Sequence, residues 1–434
     1  MSCLWLRWLG TQVEVLRNYT FALGGDEESL GFAHQDELSR TYGEAGDDPA
    51  EQDRSSPNSQ TGTDQNVTCP KITTWEAAWN VTNAIQGIFV LGLPYALLQS
   101  GYLGLLLLVL AAVLCSYTGK ILISCLYEDS EDGSLIRVRS TYEDIANACC
   151  VEICPRLGGK IINMAQVVEL MMTCILYLVV SSNLVCHSFP FIPLTPVAWS
   201  VVTLLTLVPC MLIQDLRVVS RLSLLCSLAQ FLITAIVIAY CLTQTHHWSW
   251  KRMSLSMDFE KLLVSAGVII FSYTSQIFLP TLEGSMENRA SFPNMLTWTH
   301  VLACVFKTAF SVLAFLTWGG DTKEVITDNL PAALRVAVNL CLLAKALLSY
   351  PLPFYAAAEI LQGCIVTQSM TESGMRNSVM VLRGSLLLLT FFTAICMPHF
   401  SLLMGLTGSM TGAAMTFLLP SLFHLQLKIT RTNM

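Results

Sequence analysis

The sequence predicts an all-α integral membrane protein, a 5+5 inverted-repeat helix bundle with broken first and sixth helices. Three observations predict it. The 434 residues are 53% hydrophobic and only 13% charged, with mean hydropathy +0.56, whereas soluble domains run near a quarter charged. Ten apolar runs approach the roughly 20 residues that cross a bilayer. The first and sixth runs carry matching proline-marked interruptions.

The net charge of −7 is unevenly spread, with Asp and Glu concentrated between Asp26 and Arg54 beside Gly, Pro and Ser. That composition cannot bury enough apolar surface to order itself, so residues 1–70 read as a disordered cytoplasmic tail. Near its start Trp5, Leu6, Trp8 and Leu9 are interrupted by Arg7, which argues against a signal peptide. No broad basic surface occurs, so nucleic acid is excluded as a partner. Most of the sixteen cysteines, such as Cys115, Cys174, Cys226 and Cys341, lie inside apolar runs and behave as small hydrophobes. Cys149 and Cys150 form no metal pattern with His, and neither metal, cofactor nor enzymatic chemistry is expected.

The ten segments fall near Trp75–Gln99, Leu103–Leu126, Ile161–Cys186, Ala198–Ile213, Val219–Leu242, Leu262–Leu282, Met295–Trp318, Leu334–Leu361, Val379–Met397 and Phe400–Phe423. The fourth is short and contains Pro209. Together, residues 71–425 are expected to form the ten-helix membrane core and 426–434 a short cytoplasmic tail. With the N-terminus cytoplasmic, that side's flanks hold thirteen Lys and Arg residues, among them Lys120, Arg137, Arg139, Arg221, Arg289 and Arg383. The other side holds five: Lys251, Arg252, Lys261, Lys323 and Arg335. The positive-inside rule therefore puts both chain ends in the cytoplasm. The Asn18 and Asn66 sequons then never meet the glycosylation machinery and read as chance matches.

Five helices per half force the second half to enter the membrane from the opposite side, making the first and sixth helices equivalent. Ile88-Phe89-Val90-Leu91-Gly92-Leu93-Pro94 and Ile277-Phe278-Leu279-Pro280 agree with that pairing. Proline removes a donor and clashes with the preceding turn, so breaks or kinks are expected there. One such proline is an ordinary kink; two in corresponding places favour a substrate cavity.

An ionisable residue in hydrocarbon costs about 3 kcal/mol on insertion scales. The third segment places Asn163, Gln166, Glu169, Thr173 and Tyr177 at spacings of three and four on one helical face. Apolar surroundings disfavour the charged carboxylate, so Glu169 is either a proton carrier or half of a buried ion pair. The seventh segment repeats the device with His300, Cys304, Lys307 and Ser311, making Lys307 a candidate partner of Glu169. Lys345, one turn before Ser349, lies in the eighth. It reads as a structural counter-charge, with a fixed ammonium in place of a sodium ion as the alternative. Glu76, Asn80, Asn83 and Gly87 form a stripe leading to the first break. Asn80 and Asn83 are expected to satisfy freed backbone groups, and Gln86, Gly87 and Ile88 to offer amides to a substrate carboxylate. Phe89 belongs to the same break. Tyr273, Thr274, Ser275 and Gln276 face it from the sixth helix, near the substrate amine, and Tyr177 closes the site.

Several stretches carry a resemblance: Trp75 through Gly87 (WEAAWNVTNAIQG), Gly92-Leu93-Pro94-Tyr95-Ala96, Phe271 through Pro280, Lys323 through Pro331, and Gly405-Leu406-Thr407-Gly408-Ser409. Over roughly Lys71 to Leu425 the chain closely resembles the vesicular inhibitory amino acid transporters, a branch of the amino acid/auxin permeases. Gly31-Phe32-Ala33-His34 in the tail is also similar. The resemblance implies a LeuT-like fold and antiport of GABA or glycine against protons at the synaptic vesicle membrane, with chloride an open further partner. It supports Glu169 and Lys307 as the charges of the third and seventh helices. It also implies a further helix after the tenth, before which this sequence stops at Met434, and Met1 to Thr20 does not resemble the family. Two alternatives stand beside it, a plasma- or lysosomal-membrane proton–amino acid symporter and a sensor that binds amino acid without moving it.

Overall fold

The computed structural model describes residues 72–433, apart from 130–133, 152–156, 190–191, 193, 211–215, 249–257, 366–371 and 398. The expected tail at 1–70 lies outside the described residues.

Helix α1, Thr74–Ile85, starts on a capping box: the Thr73 hydroxyl accepts from the Glu76 amide, and the Glu76 carboxylate accepts from the Thr73 amide at 2.9 Å. Glu76 therefore caps the helix rather than extending the polar stripe towards the break. A 3-10 turn, Ile88–Gly92, follows, then α2, Leu93–Ser100. The sixth span has the same plan, with α8 at Phe259–Tyr273, a 3-10 turn at Gln276–Phe278, and α9 at Leu279–Gly284. The helices part at Gln86–Gly87 and Thr274–Ser275, upstream of the prolines. Pro94 and Pro280 instead lie in the first turn of α2 and α9, where the missing N–H has no helical partner to lose.

Between the broken spans run α3 (Tyr102–Ser124), α4 (Tyr142–Cys149), α5 (Leu157–Ser188), α6 (Pro196–Cys210) and α7 (Leu216–Thr243). A hairpin, β1 (Tyr127–Asp129) on β2 (Leu135–Arg137), departs from the all-helical plan and pairs Tyr127 with Arg137. The second half adds α10 (Phe292–Trp318), α11 (Ala332–Ser349), α12 (Pro351–Ile365), α13 (Glu372–Cys396), α14 (Phe400–Thr407) and α15 (Leu419–Asn433). Two π-helical stretches, Gly408–Gly412 and Ala414–Leu418, join α14 to α15. Residues 426–433, expected as a tail, continue the last helix.

Among the described residues, nine helical stretches are long and apolar enough to cross a membrane. The fourth segment supplies only a shorter apolar helix, Pro196–Leu207. Outward faces carry Leu106, Val113, Leu205, Leu389 and Phe392, an apolar coat suited to lipid. The second half-bundle is held by glycines: a Cβ on Gly408 would fall 1.8 Å from the Gly267 carbonyl oxygen, and one on Gly267 2.1 Å from that of Gly405. Small residues allow such backbone contact between α8 and the last span, which in lipid must rely on close packing.

Candidate functional site

Breaking a helix frees carbonyls that must find donors inside the membrane. Two lysines do this, one at each break. Lys345 of α11 donates to the Gln86 carbonyl at 2.9 Å and to Gln230 Oε1 of α7 at 3.0 Å. Lys307 of α10 donates to the Ser272 carbonyl at 2.5 Å and sits 3.6 Å from the centre of the Tyr273 ring. Gln86 stands eight residues before Pro94, and Ser272 eight before Pro280. Equivalent carbonyls of the inverted repeat thus each take a buried ammonium. Such a donor is roughly twice as strong as a neutral one. Asn83, also expected to serve freed backbone, has its Oδ1 buried without a partner.

A small, partly open cavity lies beside both breaks. Of the residues expected at the substrate, Asn83, Phe89, Tyr177, Thr274 and Ser275 line it, together with Glu169 and Thr173. Phe89 packs against Tyr177 and Phe271 with ring centres 5.2 and 4.9 Å apart. The others are placed elsewhere. Gln86 turns its amide towards the Ala303 carbonyl at 3.5 Å. Gly87 caps the 3-10 turn, and Ile88 is fully buried in the apolar core. Tyr273 lies under Lys307. Gln276 is a brace, its Oε1 accepting from the Ser275 amide and Thr416 Oγ1 while Nε2 donates to the Cys115 carbonyl.

The charged residues part company in the same way. Glu169 is buried and lines the cavity, and its Oε2 has no hydrogen-bond partner. The candidate pairing of Glu169 with Lys307 does not form, because Lys307 is spent on the α8 terminus. His300 stacks on Tyr273 with its Nδ1 2.9 Å from the Leu296 carbonyl, away from the cavity. On the Glu169 face, Asn163 donates to Glu143 at 2.8 Å, and Thr173 bonds back to its own helix.

Sequence reasoning missed Gln230 and the Glu283 cluster. Gln230, isolated in an apolar run, was a legible signal; its partner was not. Glu283, 1% exposed, pairs with Arg137 at 3.3 Å and with Arg289 at 3.9 Å, and accepts from the Tyr127 hydroxyl. Arg137 also donates to the Pro280 carbonyl at 3.0 Å. The Tyr127 phenol is pushed up to about 12 by burial and then by Glu283. Ile72 pairs with the chain between Ser285 and Glu287, so the hairpin and the approach to α1 fasten the end of α9.

Residues 70–434 match the transmembrane amino acid transporter protein family. The chain is 50% identical to a vesicular inhibitory amino acid transporter of Xenopus tropicalis, over 94% of this chain and 85% of that protein. It is 49% identical to the Homo sapiens protein of that name over the same shares. A vesicular GABA transporter of Caenorhabditis elegans is 39% identical over 83% of this chain and 74% of its own length. Among solved structures, a Na+-coupled sialic acid symporter superposes with TM-score 0.52 at 14% identity, covering 83% of this chain and 80% of the other. That likeness bears on fold alone, and it agrees with a LeuT-like bundle whose first and sixth helices are broken. The chain belongs to the transmembrane amino acid transporter family.

Proposed function

We propose that this protein loads GABA and glycine into acidified vesicles in exchange for protons, with its N-terminus in the cytoplasm. The observation that carries the reading is the cavity at the two helix breaks, with an unpartnered carboxyl, Glu169, on its wall. Identity near 50% with vesicular inhibitory amino acid transporters supports the substrate class and the vesicle. Substrate sits among Asn83, Phe89, Tyr177, Thr274 and Ser275, and Glu169 carries the proton. Lys345 and Lys307 hold break carbonyls, which gives each freed carbonyl a cationic partner from the protein itself. Moving one charge through 100 mV is worth about 2.3 kcal/mol, enough to concentrate substrate well over tenfold.

The test is uptake of labelled GABA by proteoliposomes acidified inside. Uptake that follows the outward proton gradient and needs no sodium is expected. Uptake requiring protons to move with the substrate would identify a symporter, and binding without uptake would identify a sensor. Competition among GABA, glycine and β-alanine ranks the substrates.

A further inference from the structure

We propose that Glu169 is the shared seat of the substrate's ammonium and the coupling proton, so that exchange follows from competition for one carboxyl. This rests on the antiport reading above and moves the substrate amine from the sixth-helix hydroxyls to the third span.

The polar atoms left unpartnered at the cavity decide its chemistry. Among those buried without a partner are Glu169 Oε2, Asn83 Oδ1 and Ser275 Oγ. A carboxylate and an amide oxygen can only accept, and hydroxyls can accept as well. Of the other hydroxyls, those of Thr173 and Thr274 already donate to carbonyls of their own helices, and those of Tyr177 and Ser349 interact with each other. Neither buried lysine lines the cavity. A wall of unpartnered acceptors with one carboxyl fits a primary ammonium, which brings three donors and one positive charge. Phe89, Leu170, Phe271, Ile277 and Leu352 make the rest apolar, as a short methylene chain requires.

Neighbouring charges do not substitute for Glu169. On α4, Tyr142 donates to the Met415 carbonyl and Glu143 accepts from Asn163. Lys345 on α11 holds Gln86 and Gln230. Arg383 on α13 lies over the Tyr355 ring of α12, and none of Glu359, Tyr355 and Arg383 lines the cavity.

One carboxyl can bind a proton or an ammonium but not both. Neutralised by a proton, it no longer compensates a buried ammonium, so luminal acid expels substrate. With neither bound, a bare carboxylate faces an apolar wall, a state costly to carry through the occluded form. Forward and return steps are thereby tied one for one.

The experiment is equilibrium binding of labelled GABA to the purified full chain in nanodiscs from pH 8 to pH 5. In the wild type, the apparent Kd rises about tenfold per pH unit once the carboxyl titrates, as for one competing proton. Glu169→Gln weakens binding at least about thirtyfold at high pH and abolishes that slope. Glu169→Asp keeps the slope, which separates lost recognition from misfolding. In the wild type, n-butylamine displaces GABA and butyrate does not. Glu169→Gln binding GABA within threefold of wild type, or butyrate competing where butylamine fails, overturns the proposal. If wild-type liposomes show no proton-driven uptake while binding keeps its slope and amine preference, the antiport reading fails and the Glu169 assignment stands.

Discussion

Replacing Lys345 by Met tests whether a buried ammonium holds the first helix break. The side chain is 2% exposed and donates to two acceptors, the Gln86 carbonyl at 2.9 Å and Gln230 Oε1 at 3.0 Å. Methionine fills similar volume without donors, so both acceptors lose their ionic partner. Each buried group left unsatisfied costs about 1–3 kcal/mol, giving about 2–6 kcal/mol in all. No longer burying an ammonium offsets part of this, so a net loss of about 2–4 kcal/mol is expected. The readouts are thermal unfolding in detergent and GABA uptake in liposomes. Gln230→Leu alone removes one acceptor and leaves Lys345 on Gln86, costing about 1–2 kcal/mol. The double variant should be less impaired than the sum, because Gln230 is no longer orphaned, and the cycle measures the coupling. Lys345→Met melting with the wild type, or exact additivity in the double variant, would refute the clamp.

The same logic in the second half predicts that Lys307→Met, which strands the Ser272 carbonyl, lowers the melting temperature comparably. Gly408→Ala forces a Cβ to 1.8 Å from the Gly267 carbonyl oxygen, so α8 and the last span must separate. A loss of about 3 kcal/mol or more is expected, read as poor monodispersity, while Gly384→Ala, with no atom near its Cβ, serves as the unaffected control. Arg137→Ala breaks a buried pair with Glu283 and should cost about 2–4 kcal/mol, Arg289 compensating in part. The Tyr127 phenol in that cluster is held above its unfolded value, so its contribution is fully present below pH 10 and is lost as pH rises through about 12. By contrast Asp328→Asn, which removes a half-exposed pair with His187 at 2.7 Å, should change stability by less than about 1 kcal/mol.

Membrane class, segment positions and the equivalence of the first and sixth spans follow from the sequence by itself. Each is written in local composition: a bilayer demands about 20 apolar residues per crossing, and Gly92-Leu93-Pro94 and Leu279-Pro280 single out the first and sixth spans as an equivalent, interrupted pair. The sequence also singled out Glu169, Lys307 and Lys345, because a charge in an apolar run is conspicuous before any contact is known. Their partners were decided only in three dimensions. Spacing puts Glu169 on a face, yet packing sets it in the cavity wall with Oε2 unpartnered and turns Lys307 to a carbonyl of α8. The position of the breaks relative to the prolines was likewise tertiary. A proline tolerates the first turn of a new helix as readily as it ends an old one, and the lysines on α10 and α11 hold the carbonyls at Gln86 and Ser272 where the chain unwinds. The Glu283 cluster was invisible for the same reason, since its members come from β1, β2, α9 and the α9–α10 link and meet only when the bundle closes.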